Sequence, residues 1–526
     1  MDTYHPIASN TEELVKLDER TRRVTELSLK LCAIPGISMP DKDADFENIL
    51  KSHEMIKAFL EENSLDYVEM ELTDEKPYPQ LMVMFRESEK NGEKVALVGH
   101  YDVVPPKSEG QFEPRLDSDG KLHGRASADM KTVVATQLVW MAEQQAKPGK
   151  KPPFVLMLSG CEENGSVRGN NMKDMMQVAR KEFGMEFGMA IVGERTGELE
   201  HMDADIKVGP ICEANRGWRW YRGEQSKEGE NGMPAFFALS QAIADCRALI
   251  SNLNADRTSQ RQKDQSNWKT GFVNSFVRVG SDLDMPSDGT LVRMTSHGKS
   301  KHSGAFNPDR PTFLEELIGV SGALSAEFGE ENLSLRQVVI GEDENYNSVT
   351  GGGTVEFVVS GSHMAVVTVL GGIISEQLNH DNHAGHGIEF FASPESNIAK
   401  VDTKPLIGID LREIPEHTQR VNEMLESMRN VLRKVGVDLT TVNDGDGWEI
   451  DHENLHFQKL RESYESVIGK DSPALGKLHG NDGRFFDGRA IVWGQVGSNP
   501  HGPKEFHQVS SIVPYMDILD RMAGKY

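Results

Sequence analysis

The sequence has few cysteines, no long apolar run and no excess of positive charge. Its four cysteines (Cys32, Cys161, Cys212 and Cys246) are widely spaced and form no CxxC pair, which argues against a disulfide framework and against a thiolate zinc site. No stretch approaches the roughly 20 consecutive apolar residues of a membrane span, and the start of the chain lacks the apolar segment of a secretion signal. We therefore expect a cytoplasmic protein with no membrane partner.

The charge balance is acidic. The 57 Lys and Arg residues against 82 Asp and Glu residues give a formal net charge of −25, which opposes binding to phosphate backbones. We expect small-molecule or peptide partners and no nucleic acid. A chain of 526 residues is too long for one compact core, so two or three domains are expected.

Four short apolar segments, each closed by Gly or a polar residue, are typical of buried strands. The helical pattern "DMKTVVATQLVWMAEQQA" (129–146) lies between the first two. Strands that alternate with helices indicate an α/β sheet covered on its faces. The segments are "KVALVG" (94–99), "PFVLMLSG" (153–160), "MAIVGE" (189–194) and "RAIVWGQ" (489–495).

The middle of the chain is less apolar and more loop-like, which indicates a separate domain. Within it, "PLIGIDLR" (405–412) is typical of a strand and precedes a helical pattern that ends at Gly436. Strand-like segments with polar ends occur both before 195 and after 478, so the middle interrupts the first domain. We predict a catalytic domain in two parts, 1–212 and 444–526, around an inserted domain at 213–443.

Histidine, aspartate and glutamate residues, which commonly bind metal ions in proteins, follow the apolar segments. In an open α/β sheet, ligands bind beyond the carboxyl ends of the strands. Imidazole and carboxylate groups without thiolate suit Zn²⁺ or a similar ion. The residues are His100 and Asp102, Glu162 and Glu163, Glu194 and His501, with Asp129 at the start of the first helix between strands.

Each of these residues alone has an ordinary structural explanation. A histidine at a strand end is commonly a hydrogen-bonded structural residue, Asp129 is a good helix N-cap, and Glu162 with Glu163 is typical of a solvated loop. Their joint occurrence at the same end of successive strands favours a metal site.

Six segments, in order along the chain, resemble the family of co-catalytic metallohydrolases that contains acetylornithine deacetylase, succinyl-diaminopimelate desuccinylase, aminoacylase and glutamate carboxypeptidase. The resemblance implies a phosphorylase/hydrolase-like α/β catalytic domain with a mostly parallel sheet flanked by helices. It also implies an inserted α+β, ferredoxin-like lid and dimerisation domain. The segments are "GHYDVVP", "GRASADMK", "GCEENGS", "IVGE", "NDGRFF" and "GSNPHGPKE".

The resemblance implies two zinc ions per chain, with cobalt as an alternative. His100, Asp129 and Glu194 would hold one ion, and Asp129, Glu163 and His501 the other, so that Asp129 bridges them. Asp102 would accept the second ring N–H of His100, and Glu162 would be the general base. The family also implies a cis peptide bond between Asp129 and Met130.

The resemblance extends to substrate contacts. His302, in "SHGKSKHSGAFNPDRP" (296–311), matches a histidine that stabilises the oxyanion and often reaches a partner subunit, which implies a homodimer formed through the lid. Arg412 matches an arginine that clamps a substrate carboxylate. Asn481 and Arg484 lie in the substrate-binding segment "NDGRFF". An ordinary loop histidine and a salt-bridged surface arginine are the alternatives for His302 and Arg412.

The sequence also departs from the family pattern. Ala126 replaces a glycine, Gly480 and Asn481 replace a Thr-Ser pair, and the inserted domain is about twice as long as usual, with no counterpart for 225–290. A further cluster, "NHDNHAGHG", contains His380, His383 and His386. We interpret it as a loop rather than a metal site, because glycines interrupt it and no carboxylate at a strand end accompanies it.

These patterns predict a dinuclear metal-dependent amidohydrolase that cleaves N-acyl amino acids or related carboxylate-bearing amides. A metallodipeptidase or metallocarboxypeptidase with the same metal centre is the alternative. A non-catalytic binding protein would have lost a ligand or the base, and none is missing. A serine hydrolase is disfavoured because the chain has no GxSxG elbow.

Overall fold

The structure, a computed structural model, divides the chain into two compact units. The catalytic unit comprises Met1–Asn215 and Trp448–Tyr526, and the inserted unit comprises Arg216–Gly447. The structure describes residues 11–38, 45–70, 78–86, 88–89, 91–163, 172–196, 207–225, 232–257, 259–265, 267–280, 289–297, 301–302, 313–329, 332–340, 348–349, 352–360, 362–377, 388–393 and 406–526.

The helices and strands are numbered in chain order. The first part of the catalytic unit contains α1 (Thr11–Leu14), α2 (Glu19–Cys32), α3 (Phe46–Glu62), β1 (Leu65–Glu69), β2 (Gln80–Phe85), β3 (Gly92–His100), β4 (Arg115–Leu116), β5 (Lys121–His123), α4 (Lys131–Ala146), β6 (Phe154–Ser159), α5 (Met172–Phe183), β7 (Met185–Val192) and β8 (Cys212–Asn215). The inserted unit contains β9 (Trp218–Gln225), α6 (Gly232–Ala255), α7 (Gln260–Asp264), β10 (Gly271–Gly280), β11 (Gly289–His297), β12 (Lys301–His302), α8 (Phe313–Phe328), β13 (Leu333–Ile340), β14 (Ser348–Val349), β15 (Gly352–Ser360), α9 (His363–Gln377), β16 (Ile388–Ser393), β17 (Leu406–Arg412), α10 (Thr418–Lys434) and β18 (Val437–Gly445). The remainder of the catalytic unit contains β19 (Trp448–Glu449), α11 (Leu455–Ile468), β20 (Leu475–Lys477), β21 (Ala490–Val492), β22 (Gly497–Ser498), β23 (Phe506–Gln508) and α12 (Ile512–Ala523).

The main sheet of the catalytic unit has nine strands, eight of which follow the order β1-β2-β6-β3-β7-β21-β8-β19, with β20 beside β8. Its centre is parallel, since β6, β3, β7 and β21 run the same way. The edge pairs β1–β2 and β8–β19 are antiparallel. Each of the four predicted apolar segments forms one of the central strands. The predicted α/β fold is confirmed.

The helix α4 packs against the carboxyl ends of β3 and β7. Its side chains are buried on nearly every side, as expected for a helix packed between a sheet and other helices. Gly99 precedes His100, and a Cβ added there would lie 2.9 Å from Val134 Cγ2; at Gly193, before Glu194, it would lie 2.8 Å from Val133 Cγ1. Glycine at both strand ends therefore lets α4 approach closely.

A second, four-stranded sheet of the catalytic unit has the order β22-β23-β5-β4. Strand β23 pairs with β22 and with β5 in antiparallel register, with His507 opposite both Gly497 and Leu122. The segment between β22 and β23 carries His501, and the chain after β5 leads to Asp129. The small sheet thus joins two segments that carry predicted site residues.

The inserted unit contains one eight-stranded sheet, in the order β16-β11-β15-β13-β10-β17-β9-β18. Two βαββαβ modules form it, one nested inside the other. The outer module consists of β9, α6, β10, β17, α10 and β18; the inner module consists of β11, α8, β13, β15, α9 and β16. Both give the strand order 4-1-3-2 of a ferredoxin-like fold, which confirms the predicted α+β lid architecture.

The two modules join edge to edge. Strands β10 and β13 pair in antiparallel register from Val277 opposite Ile340 to Gly280 opposite Gln337. One hydrophobic core includes residues of both modules, among them Ile243, Leu324 and Met428.

The structure corrects our expectation that the middle of the chain is loop-like. An antiparallel sheet covered on one face needs fewer apolar residues than a doubly covered parallel sheet. The strands of the inserted unit therefore lack the continuous apolar runs by which the central strands of the catalytic unit were predicted. The stretch 225–290, which had no counterpart, contributes α6, α7 and β10. Among the described helices, none combines the length and apolarity needed to cross a bilayer.

Candidate metal centre

Six of the predicted site residues lie close together in the catalytic unit. His100 ends β3, Asp129 precedes α4, Glu162 and Glu163 follow β6, Glu194 follows β7, and His501 lies between β22 and β23. Five of the six side chains are at most 13% exposed, and His501 is 37% exposed.

Asp129 lies between the two histidines. Its Oδ1 is 3.2 Å from His100 Nε2, and its Oδ2 is 3.3 Å from His501 Nε2. The residue at the N-cap position of α4 is Met130, with no side-chain cap hydrogen bond, so the alternative role of Asp129 as the N-cap is wrong. The peptide bond between Asp129 and Met130 is cis, as predicted.

The three glutamates surround the same two histidines. His100 Nε2 is 3.5 Å from Glu194 Oε1 and 3.9 Å from Glu162 Oε2, while His501 Nε2 is 3.0 Å from Glu163 Oε1. Two groups of these side chains have ligand atoms that all lie within 4.8 Å of one another. They are His100, Glu162 and Glu194, and His100, Asp129 and Glu163.

Asp102 organises the segment that carries both glutamates. Its fully buried carboxylate accepts hydrogen bonds from the backbone N–H of Glu162 at 3.0 Å and of Glu163 at 2.9 Å, and from the Ser38 hydroxyl. His100 Nδ1 is 3.3 Å from Asp102 Oδ1 and 3.2 Å from the Asp102 carbonyl oxygen. Asp102 thus contacts the Nδ1 edge of the His100 ring, and Asp129 contacts the Nε2 edge.

Burial and neighbouring groups shift the pKa values of His100, Asp129 and Glu162. Burial lowers the pKa of His100, but its hydrogen bonds with Asp102, Asp129 and Glu194 outweigh burial and raise that pKa well above its ordinary value. Burial raises the pKa of Asp129, but His100 and His501 outweigh it, and the net pKa is well below normal. Burial, with the charges of Glu194 and Asp482, raises the pKa of Glu162 well above normal.

The segment "NDGRFF" lies beside Glu162. It forms a 3-10 helix at Asp482–Phe486, and Asp482 and Arg484 interact electrostatically with each other and with Glu162. Asn481 is buried; it donates to Asn215 Oδ1 at 2.8 Å, and its own Oδ1 accepts from the Gly483 N–H at 3.0 Å. The Arg484 guanidinium lies 4.7 Å from the ring centroid of Phe485.

Two predicted substrate-binding residues belong to the inserted unit. Arg412, at the end of β17, donates to both oxygens of Asp410 at 2.8 and 3.0 Å and lies over the Trp218 ring at 5.2 Å. Arg412 is therefore salt-bridged, as in the alternative, but at 3% exposure it does not lie at the surface as that alternative had it. The backbone of His302 pairs with Ser348 in β12–β14, and its side chain lies outside the described part of the chain, as do His380, His383 and His386.

Sequence reasoning missed several residues around the cluster. Lys477 Nζ donates to the Arg195 carbonyl at 2.7 Å and lies 3.9 Å from Glu194 Oε2. A single lysine in "LGKLHG" carries no recognisable pattern, and neither does Ser38. Asp482 and Glu505 stand inside the quoted segments "NDGRFF" and "GSNPHGPKE", which assign no role to either.

Comparison of the sequence with known proteins gives one family and a set of relatives. The profile of Peptidase family M20/M25/M40 matches residues 96–525. The succinyl-diaminopimelate desuccinylase of Parvibaculum lavamentivorans is 36% identical over 259 residues, which are 45% of this chain and 63% of the relative. That of Nitrobacter hamburgensis is 31% identical over 185 residues, 32% of this chain and 43% of the relative. The chain thus spans less than two thirds of the length of each.

Solved structures share the fold over nearly the whole chain. The aminoacylhistidine dipeptidase of Vibrio alginolyticus has a TM-score of 0.57 at 15% identity, with 97% of this chain and 98% of that chain covered. Human carnosine dipeptidase 1 has a TM-score of 0.54 at 12% identity, with 98% of each chain covered. Since the family profile covers most of the chain, the resemblance noted in the sequence is confirmed, and the protein belongs to Peptidase family M20/M25/M40.

Proposed function

We propose that this protein is a dinuclear metal-dependent amidohydrolase that removes the acyl group from an N-acyl amino acid. The observation that carries the proposal is the position of Asp129, whose two carboxylate oxygens face His100 and His501 separately, at 3.2 and 3.3 Å. A carboxylate shared in this way is what two ions about 3.5 to 4 Å apart require.

The donor set fits two divalent cations. Four carboxylates and two imidazoles converge in a largely buried space, where like charges repel strongly unless cations balance them. Lys477 and Arg484 supply two positive charges nearby. We assign His100, Asp129 and Glu194 to one ion and Asp129, Glu163 and His501 to the other. Zinc suits these ligands, and cobalt is the alternative.

When bound, the two ions would supply Lewis-acid chemistry, which polarises a carbonyl and makes a water more acidic. Glu162 then acts as the general base: its carboxylate accepts a proton from the attacking water and returns it to the amide nitrogen of the leaving amine. Of the adjacent glutamates, Glu163 contacts His501 at 3.0 Å, which leaves Glu162 for the proton. Asp102 holds both backbone N–H groups of this pair and thereby orients them.

The relatives support the choice of substrate. Desuccinylases that are 31 to 36% identical to this chain carry names that describe removal of an acyl group from an amino acid. Arg484 interacts electrostatically with Glu162 and would bind a substrate carboxylate. We keep Asn481, His302 and Arg412 as proposed substrate-binding residues. An unblocked dipeptide remains the competing substrate class.

The location and the assembly are also proposals. We propose a cytoplasmic protein that forms a homodimer through the lid. Cell fractionation and light scattering during size-exclusion chromatography test these two points, and a monomer at micromolar concentration contradicts the dimer.

The function is tested by metal analysis and substitution of the base. Dialysed protein should hold about two zinc ions per chain, and a chelator should remove both the metal and the activity. Glu162→Gln should keep both ions and lose roughly 10²- to 10⁴-fold in kcat. Glu453→Gln, at an exposed position, is the control. Loss of one ion in Glu162→Gln would show that Glu162 is a ligand, as its proximity to His100 and Glu194 allows.

A substrate panel separates the two chemical classes. N-acetyl and N-succinyl amino acids are compared with unblocked dipeptides by kcat/KM, with Zn²⁺ or Co²⁺ added. The proposal requires a preference for the acylated amino acids, and a preference for dipeptides refutes it while leaving the metal centre intact. Activity in protein free of metal refutes the mechanism.

A further inference from the structure

A buried ion pair lies behind the metal cluster and belongs to none of the roles assigned above. Arg125 Nη1 donates to Glu505 Oε2, and the two side chains are 1% and 0% exposed. Glu505 follows His501 by four residues, and Arg125 precedes Asp129 by four. Neither side chain is among the potential metal ligands.

The second oxygen of Glu505 binds the backbone next to the bridging carboxylate. Its Oε1 accepts hydrogen bonds from the Ala128 N–H at 3.1 Å and from the Asp129 N–H at 3.2 Å. Two consecutive N–H groups directed at one oxygen fix the peptide plane between them. Glu505 therefore constrains the peptide group from which the Asp129 residue continues the chain.

The pair also joins the other segments of the cluster. Arg125 Nη2 donates to the Pro105 carbonyl at 3.1 Å, three residues beyond Asp102, and the Arg125 N–H donates to the Gln111 carbonyl at 2.7 Å. Gln111 Nε2 in turn donates at 2.8 Å to the carbonyl of Gly502, next to His501. Segments that carry His100, Asp129 and His501 thus meet at one buried network.

The stability of the ion pair alone does not explain this arrangement. A buried ion pair is often no more stabilising than well-packed apolar residues of similar size. The two backbone N–H groups, in contrast, need an acceptor at that position, because a buried N–H group without a partner is destabilising. An acceptor this close to Asp129 also affects what Asp129 can bind.

We infer that Glu505, held in place by Arg125, is a positioning residue that orients Asp129 toward both His100 and His501 and so sets the affinity of the site for its two cations. The inference rests on the proposed function, since it assumes that Asp129 bridges two ions. Groups that support metal ligands in this way typically contribute 10- to 100-fold in affinity.

Zinc affinity, measured by competition with a chromophoric chelator, is the test. Glu505→Ala should bind Zn²⁺ roughly 10- to 100-fold more weakly than the wild type. Arg20→Ala is the control for a structural effect. Arg20 bonds Glu143, Asp517 and Asp520 at 2.6 to 2.9 Å, so its loss should lower the unfolding temperature of the metal-free protein and leave zinc affinity unchanged.

A matched pair of double variants tests the effect of the side-chain oxygen at position 505 on zinc affinity. The pair remains informative if Glu505→Ala folds poorly. Arg125→Met/Glu505→Gln keeps an oxygen for the two N–H groups with no guanidinium opposite the new amide, while Arg125→Met/Glu505→Ala lacks the oxygen. The first should bind Zn²⁺ at least tenfold more tightly than the second. Equal zinc affinity in the two, or a Glu505→Ala variant that loses only thermal stability, overturns the inference.

Failure of the proposed function is recognised separately. If the wild type holds neither Zn²⁺ nor Co²⁺, the proposed function fails, and the inference fails with it. If the wild type holds two ions and hydrolyses acylated amino acids while Glu505→Ala binds zinc normally, only the inference fails.

Discussion

His507 makes the stability of the catalytic unit depend on pH. It is fully buried in β23, and neither ring nitrogen has a hydrogen-bond partner in the described part of the chain. Burial penalises the charged imidazolium and lowers the pKa of His507 from 6.5 to about 3. The unfolded chain, where the ring is solvated, keeps the ordinary value.

The sign and the size follow from proton linkage. Between the two pKa values the unfolded state binds a proton at His507 and the folded state does not, so stability is present above pH 6.5 and is lost as the pH falls. Each pH unit in that window costs about 1.4 kcal/mol. Between a pH well above 6.5 and pH 4.5, the contribution of His507 to the free energy of unfolding therefore falls by about 3 kcal/mol.

His507→Met removes the titrating group and keeps an apolar side chain of similar length. Urea unfolding of chelator-treated protein at several pH values measures the free energy of unfolding without the complication of metal release. On acidification from pH 8 to pH 4.5, the variant should lose less stability than the wild type, by about 3 kcal/mol. Other titrating groups affect both proteins equally, so the difference between the two curves reports His507 alone.

Leu122→Met is the control, because Leu122 is the buried residue opposite His507 in the neighbouring strand. It should lower stability by a similar amount at every pH. If His507→Met and the wild type lose stability in parallel on acidification, the reasoning is refuted.

Two further substitutions test the core and the support of the cluster. Trp140 is fully buried, edge-on to Phe85 and Phe154 with ring centroids 6.4 and 5.1 Å away, so Trp140→Ala should lower the free energy of unfolding by about 3 to 5 kcal/mol. Urea unfolding checks this, and a loss below 1 kcal/mol contradicts it. Asp102→Asn places an amide NH₂ donor opposite groups that themselves donate to residue 102, so the support of the cluster is disturbed. Zinc affinity should then fall roughly 10- to 100-fold. Chelator competition checks this, and unchanged affinity contradicts it.

The sequence predicted the catalytic fold and the residues of the cluster because both follow from local patterns. A doubly covered parallel strand reads as a continuous apolar run, and the residue that follows it must lie at the edge of the sheet. The glycines before His100 and Glu194 have a physical cause visible in the structure, since α4 packs against both positions. Position after a buried strand, together with the family resemblance, therefore indicated which residues meet in the cluster.

What the sequence did not reveal depends on backbone positions or on long-range pairing. Glu505 accepts hydrogen bonds from the backbone N–H groups of residues 128 and 129. Backbone N–H groups are not specific to a residue type, so the sequence at these two positions does not predict the contact. The nested modules were hidden because β10 pairs with β17 across the whole inner module. No local periodicity shows that two distant strands are neighbours.

The nesting has a consequence for how such a chain tolerates change. Arg278 near the end of β10 lies opposite Leu406 at the start of β17, so the polypeptide departs from the outer module and returns to it at adjacent points. A tight hairpin turn would connect the same two points. The entropic cost of closing a loop between two adjacent points rises only slowly with the length of the loop. The outer sheet can therefore accommodate an entire inserted module between β10 and β17 without a rearrangement of its own strands.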